Sequence, residues 1–76
     1  MNELEARLLL AHADDDRAAL VTLYTEAADQ SEGEDAAAFY LTQAYIYALE
    51  LGAPQSGALR RRLIEMGRET PSSGGL

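Results

Sequence analysis

The stretch AAAFYLTQAYIYALEL, residues 36–51, decides the fold of this chain. It contains no Gly, no Pro and no basic residue, and its distinctly polar residues are Thr42, Gln43 and Glu50. A helix that is apolar almost all the way round is typical of a buried helix. At 100° per residue, one face consists mostly of small side chains, which lets a partner helix approach closely. The residues of this predicted inner face are Ala37, Leu41, Ala44, Ala48 and Leu51.

The large side chains of the same helix are predicted on its remaining faces. They are Tyr40 and Tyr47 on one flank, Tyr45 and Leu49 on the other, and Phe39 and Ile46 at the back. The tyrosines, with Tyr24 earlier in the chain, have two interpretations. They pack as amphipathic core residues whose hydroxyl reaches water or a carbonyl, or they form a contact surface, since Tyr is enriched at interface hot spots. Both interpretations stay open.

The composition describes one small acidic domain. The chain has 76 residues, a net charge of −7 and no cysteine, which excludes a disulfide framework and zinc-finger spacing. Residues 1–55 hold eleven carboxylates against two arginines, whereas residues 56–76 carry a net charge of +2. An acidic body repels nucleic acid and anionic membranes. No apolar run reaches the roughly 18 residues of a membrane span, and the N-terminus lacks the basic start of a signal peptide. We therefore expect a cytoplasmic protein with no membrane contact.

The first half of the chain predicts two helices. The first runs over residues 1–13, where Leu4, Leu8 and Ala11 recur at helical spacing. Three consecutive aspartates follow at 14–16, and Asp is a poor interior residue but a good N-cap. We therefore expect a break there and a second helix over residues 17–30. One continuous helix through the aspartates is the alternative.

Turn and stop signals divide the second half. Gly33 is expected to end the second helix in the left-handed conformation, and Ser31 and Glu34 have the spacing of a capping box for the third. Gly52 followed closely by Pro54 is a strong stop signal at the end of the third helix. A fourth helix is predicted over residues 55–68. The result is an all-α domain over residues 1–69, with a disordered tail at 70–76 that is rich in Pro, Ser and Gly.

The second and third helices resemble a tetratricopeptide-type helical hairpin. The likeness lies in LVTLY at residues 20–24, in Tyr45 with ALEL at 48–51, and in the following Pro54. Val21 and Leu41 depart from the small residues that this repeat prefers, so the chain resembles a single divergent unit. The resemblance implies an antiparallel helix pair, and we expect a bundle of three to four helices built on it. The segments LVTLYTEAAD and AAFYLTQAYIYALELGAP are also similar to small helical proteins of alphaproteobacteria that carry no known activity.

No constellation of residues predicts catalysis or a cofactor. His12 is the only histidine. The chain has no cysteine, and no serine lies in a nucleophile elbow, so we interpret His12 as a surface or hinge residue. The aspartates at 14–16 lack the alternating acids, central Gly and distal Glu of a calcium loop. We interpret them as helix caps. The chain is therefore expected to be no enzyme and to use neither a metal nor another cofactor.

The remaining hypothesis is a protein-interaction or assembly module. A chain this small has too few layers to cover a helix that is apolar nearly all round, so we expect self-association, as a two-fold dimer. The candidate interaction surface comprises Leu4, Leu8, Phe39, Ile46, Tyr40, Tyr47, Arg60 and Arg61. A nucleic-acid-associated regulator that uses the arginines at 60–62 is the rival, although the acidic body argues against it. A small-ligand binder with a pocket between helices ranks third.

Overall fold

The computed structural model describes residues 2–67, which form four α-helices. They are α1 Glu3–Ala13, α2 Arg17–Gln30, α3 Glu34–Leu51 and α4 Gln55–Glu65. Within residues 2–67 there is no strand, which confirms the all-α prediction. The predicted fourth helix is too long, because α4 ends at Glu65 and Met66 is its C-cap. Arg68 and the predicted tail at 70–76 lie outside the described residues.

Helix α1 begins with a complete capping box. The backbone N–H of Glu5 donates to the side-chain oxygen of Asn2 at 2.7 Å, and the N–H of Asn2 donates to the Glu5 carboxylate at 3.1 Å. These two bonds satisfy donors that the first helical turn leaves without a partner. The first helix therefore starts at Glu3, two residues after the predicted start.

The break between α1 and α2 falls at the aspartates, as predicted. Asp15 adopts a left-handed φ of 55°, a conformation that Asp tolerates better than most residues. Asp16 is the N-cap of α2, and its carboxylate accepts from the N–H of Ala19 at 3.1 Å. The aspartates thus end one helix and begin the next, and the continuous-helix alternative is wrong.

The turn between α2 and α3 differs from the predicted one. The Ser31 hydroxyl donates to the carbonyl of Ala27 at 2.8 Å, so it serves the end of α2 and does not cap α3. Gly33 is the N-cap of α3 with an extended φ of −102°, and α3 has no side-chain cap. The predicted capping box and the predicted left-handed stop at Gly33 are therefore both wrong.

The stop signal at the end of α3 is confirmed. Gly52 has a φ of 66°, which is left-handed and favours glycine. Its N–H donates to the carbonyl of Leu49 at 3.1 Å, and the N–H of Ala53 donates to the carbonyl of Ala48 at 2.9 Å. This pair of bonds is a Schellman motif, which satisfies the last carbonyls of the helix.

Helices α2 and α3 form the central pair, with α1 packed on α2 and α4 packed on α3. The central pair is antiparallel, because Arg17 at the start of α2 donates to Glu50 at the end of α3 at 2.7 Å. The main core lies where α2, α3 and α4 meet. Its buried residues are Val21, Ala28, Leu41, Ala44, Ala48, Leu59 and Leu63.

The inner face of α3 is rotated slightly from the predicted one. Ala38 is buried, Ala37 is only half-buried, and Leu51 is 46% exposed. Ala37 and Leu51, which were predicted on the inner face, are therefore not part of the buried core. Leu51 is the last residue of α3 and is followed by the turn at Gly52, so no helix lies over it.

Candidate interaction surface

The outer face of α3 carries a strip of large apolar side chains. Phe39 is 57% exposed, Ile46 42% and Leu49 54%. The predicted exposure of Phe39 and Ile46 is thus confirmed, and Leu49 joins them at i+3 from Ile46. Residues spaced by seven and then by three lie on one side of a helix. We call Phe39, Thr42, Ile46 and Leu49 the outer strip.

Thr42 does not interrupt the apolar character of the outer strip. Its hydroxyl donates to the carbonyl of Ala38, one turn earlier, at 2.8 Å. A threonine that bonds back in this way has satisfied its donor within the helix. Its methyl group is then available for contact with another apolar surface.

Helix α1 presents a second apolar surface. Leu9 and Leu10 are 55% and 65% exposed. Leu4 and Leu8, which the sequence predicted as interaction residues, are half-buried and pack against the cluster that contains Leu20. The exposed leucines of α1 are therefore the neighbours of the predicted ones.

Three of the four tyrosines, Tyr24, Tyr40 and Tyr47, gather into one aromatic cluster between α1, α2 and α3, while Tyr45 packs against the main core. The ring of Tyr24 stacks on those of Tyr40 and Tyr47, with 6.1 Å between centroids in each case. Nε2 of His12 and the hydroxyl of Tyr24 share a hydrogen bond of 2.8 Å. His12 also meets Tyr47 edge-on at 6.1 Å. Tyr40 and Tyr47 are half-buried, so they join the helices together as well as lying at the surface.

Burial within this cluster raises the pKa of Tyr24 above its ordinary value of 10.0, and Tyr47 and Tyr40 add to the shift. The neutral phenol is therefore the form that the fold favours. The contact between His12 and Tyr24 links α1 to α2.

Three of the five arginines within residues 2–67, Arg7, Arg17 and Arg62, join one helix to another. Arg7 lies 3.5 Å from Glu26, and Arg62 donates to Asp29 at 2.8 Å. The hydrogen bond that Arg17 donates to Glu50, followed by the charge of Asp15, raises the pKa of Arg17 above its ordinary value. Of the two predicted interaction arginines, Arg60 is half-buried and Arg61 is exposed.

The concave regions of the surface are shallow and open to solvent. One depression of about 350 Å³ is lined by Glu5, Leu8, Leu9, His12 and Tyr24. Ligand sites that bind small molecules tightly enclose most of the ligand surface, and this depression does not. Among residues 2–67, no group of three or more acidic or histidine side chains is placed to hold a metal ion. None of the helices within that range is long and apolar enough to cross a membrane.

Comparisons with protein-family profiles, with curated proteins and with solved structures found no match for this chain. The exposure of Phe39 and Ile46 was predicted from the sequence. The exposed leucines were not among the predicted interaction residues; they are Leu9, Leu10, Leu49 and Leu51. The exposure of Leu49 could have been predicted from the sequence, because Leu49 continues the helical spacing of Phe39 and Ile46.

Proposed function

We propose that this chain is a non-enzymatic protein-interaction or assembly module that acts through the outer strip of α3. One observation carries the proposal. The helix that supplies the core with Ala44 and Ala48 leaves Phe39, Ile46 and Leu49 about half exposed. A row of large apolar side chains that the rest of residues 2–67 covers only in part is suited to a contact with another surface.

The energetics of burial support this function. Full burial of a Phe, Ile or Leu side chain is favourable by about 1.5–3 kcal/mol. Phe39, Ile46 and Leu49, the three large apolar side chains of the outer strip, realise only part of this free energy within the chain. A partner that covers them gains the remainder, and the flanking polar groups would form the rim of such an interface.

The two rival functions receive less support from the side chains. Arg62 is engaged with Asp29, which leaves less of the 60–62 arginine cluster directed outward for phosphate contacts. The body that surrounds this cluster is strongly acidic, which weakens attraction to nucleic acid. A small-ligand binder needs an enclosed pocket, whereas the depressions are open.

Affinity capture from the source organism, read by mass spectrometry, tests the proposal. The wild-type chain is compared with Ile46→Glu, which places a charge in the middle of the outer strip. Leu10→Glu is the matched control, because it makes the same kind of change at an exposed position of α1. Circular dichroism confirms that both variants fold.

We expect Ile46→Glu to lose the captured proteins, including untagged copies of the chain, and Leu10→Glu to retain them. Equal capture by all three chains would contradict a function through the outer strip. Loss with Leu10→Glu alone would move the function to the α1 surface.

A further inference from the structure

We propose that the outer strip binds the outer strip of a second copy of this chain, with the two α3 helices antiparallel about a two-fold axis. This inference rests on the proposed function, since it assumes that the strip is a contact surface. It adds the identity of the partner, the orientation of the helices and the residues that face each other. Three features of α3 lead to it.

The first feature is the spacing of the outer strip. Phe39, Thr42, Ile46 and Leu49 follow one another at intervals of three, four and three residues. Apolar residues at these intervals form the seam along which two helices pack side by side. Two such seams meet with their residues in register when the helices run antiparallel and cross between Thr42 and Ile46.

The second feature is the size of the side chains that this register brings together. Phe39 faces the partner's Leu49, and Thr42 faces the partner's Ile46. Each layer then combines one larger and one smaller side chain, which fills the space evenly along the seam. A parallel pair would place two phenylalanines in one layer and two threonines in another.

The third feature is the distribution of charge. The first turn of α3 contains Glu34 and Asp35, and Asp35 precedes Phe39 by one turn on the same side of the helix. A parallel pair would place the two copies of Asp35 next to each other, where like charges repel. In the antiparallel pair they are about 27 Å apart at 1.5 Å per residue, which exceeds the screening length of about 8 Å at physiological salt.

The residues beside the seam are compatible with the antiparallel pair. Gln43 of the two copies lies on one side near the axis, and Tyr45 of the two copies lies on the other. Glu50 comes opposite the partner's Ala36, and it keeps its ion pair with Arg17. No two like charges are therefore brought together along the seam.

The strip is short, which sets the strength of the contact. Phe39 to Leu49 spans about 15 Å of helix. An interface built on one such seam belongs to the small class, below about 1,200 Å² in total. We therefore expect a reversible dimer whose population rises with protein concentration.

Disulfide trapping between single-cysteine variants tests the register. The chain has no cysteine of its own, so Thr42→Cys and Ile46→Cys each introduce the only thiol. One variant carries a tag that changes its mass, the two are mixed in a glutathione redox buffer, and the disulfide-linked species are counted. A disulfide needs Cα atoms about 4.4–6.8 Å apart.

The antiparallel register predicts that most of the linked material joins Thr42→Cys to Ile46→Cys. The matched control pairs Thr42→Cys with Leu10→Cys, which is exposed on α1, and we expect no preference for the mixed species there. Predominant Thr42→Cys homodimers and Ile46→Cys homodimers would overturn the proposal in favour of a parallel pair.

Sedimentation equilibrium of the wild-type chain provides the second measurement. A mass that rises from 8.2 kDa toward twice that value with concentration, and that stays at 8.2 kDa for Ile46→Glu, supports the proposal. A wild-type mass of 8.2 kDa at every concentration would overturn it. The capture experiment decides the proposed function separately, because a different protein partner lost with Ile46→Glu would be detected there even if the chain is a monomer.

Discussion

The inner and outer faces of α3 use opposite kinds of residue. On the inner face, Leu41, Ala44 and Ala48 are completely buried. On the outer face, Phe39 and Ile46 are larger than any of the alanines and are about half exposed. The inner face of α3 therefore combines small alanines with one leucine, whereas the apolar side chains of its outer face are large and lie outside the core.

This difference shows that volume alone does not indicate which residues of a helix form the core. Small side chains let α2 and α4 approach the α3 backbone, and the close approach makes many weak contacts at once. A large residue at the same place would separate the helices. A large residue on the far side costs the fold little, and it remains available for another surface.

The strongest test of this comparison truncates one leucine on each face. Leu41→Ala removes a fully buried side chain, and we expect it to lower the free energy of unfolding by about 2–5 kcal/mol. Leu49→Ala makes the same chemical change at a position that is 54% exposed, and we expect an effect within about 0.5 kcal/mol. Urea denaturation of the three chains measures both, and equal losses would show that the two faces are not distinct.

Enlarging an alanine tests the close crossing. Ala48→Leu adds volume at a position with no exposed surface, and overpacking there should cost about 1–3 kcal/mol. Ala36→Leu adds the same atoms at an exposed position of the same helix and should leave stability nearly unchanged. In thermal melts, each kcal/mol corresponds to a shift of about 4–8 °C for a domain of this size. If both variants melt at the wild-type temperature, α2 and α4 do not cross α3 at Ala48.

The end of α3 offers a smaller effect that depends on backbone conformation. An added Cβ at Gly52 or at Gly57 meets no atom within 4 Å, but only Gly52 has a left-handed φ. Gly52→Ala should therefore destabilise by about 1–2 kcal/mol. Gly57→Ala, inside α4, should stabilise by about 0.5–1 kcal/mol because alanine loses less backbone entropy in a helix. A lower melting temperature for Gly52→Ala together with a higher one for Gly57→Ala supports the Schellman motif at the end of α3. A higher melting temperature for both variants would contradict it.

The stability contributed by Tyr24 in the aromatic cluster should decrease at alkaline pH. The pKa of Tyr24 is raised in the fold, so the folded chain binds the phenol proton more tightly than the unfolded chain does. Its contribution to stability is complete below pH 10 and is lost as the pH rises toward and through the folded-state pKa. We expect Tyr24→Phe to lose stability less steeply than the wild type between pH 9 and about 11. Parallel pH profiles in urea titrations would show that Tyr24 makes no such contribution.

Local chemistry in the sequence determined the helices and most of their ends. The all-α class follows from apolar residues at helical spacing, and the break at the aspartates and the stop at Gly52 follow from single residues with strong backbone preferences; all three are confirmed. The turn at 31–33 was predicted wrongly because its signals were ambiguous. Ser31 serves the end of one helix as readily as the start of the next, and Gly33 adopts extended as well as left-handed conformations. The tetratricopeptide resemblance and the interaction function stay predictions.

Only the tertiary structure decided the exposure of the apolar side chains that the sequence misplaced. The helical wheel predicted the covered side of α3 from its alanines, but it did not show that Leu49 and Leu51 would be left about half exposed. The arrangement depends on where α1 and α4 pack, and α1 packs on α2 while α4 packs on the inner side of α3. Packing is a property of several helices together, since each buries its apolar side only against surfaces that the others provide. The sequence of α3 thus specified a helix with two apolar sides, and its neighbours determined that the alanines were covered and the outer strip was left open.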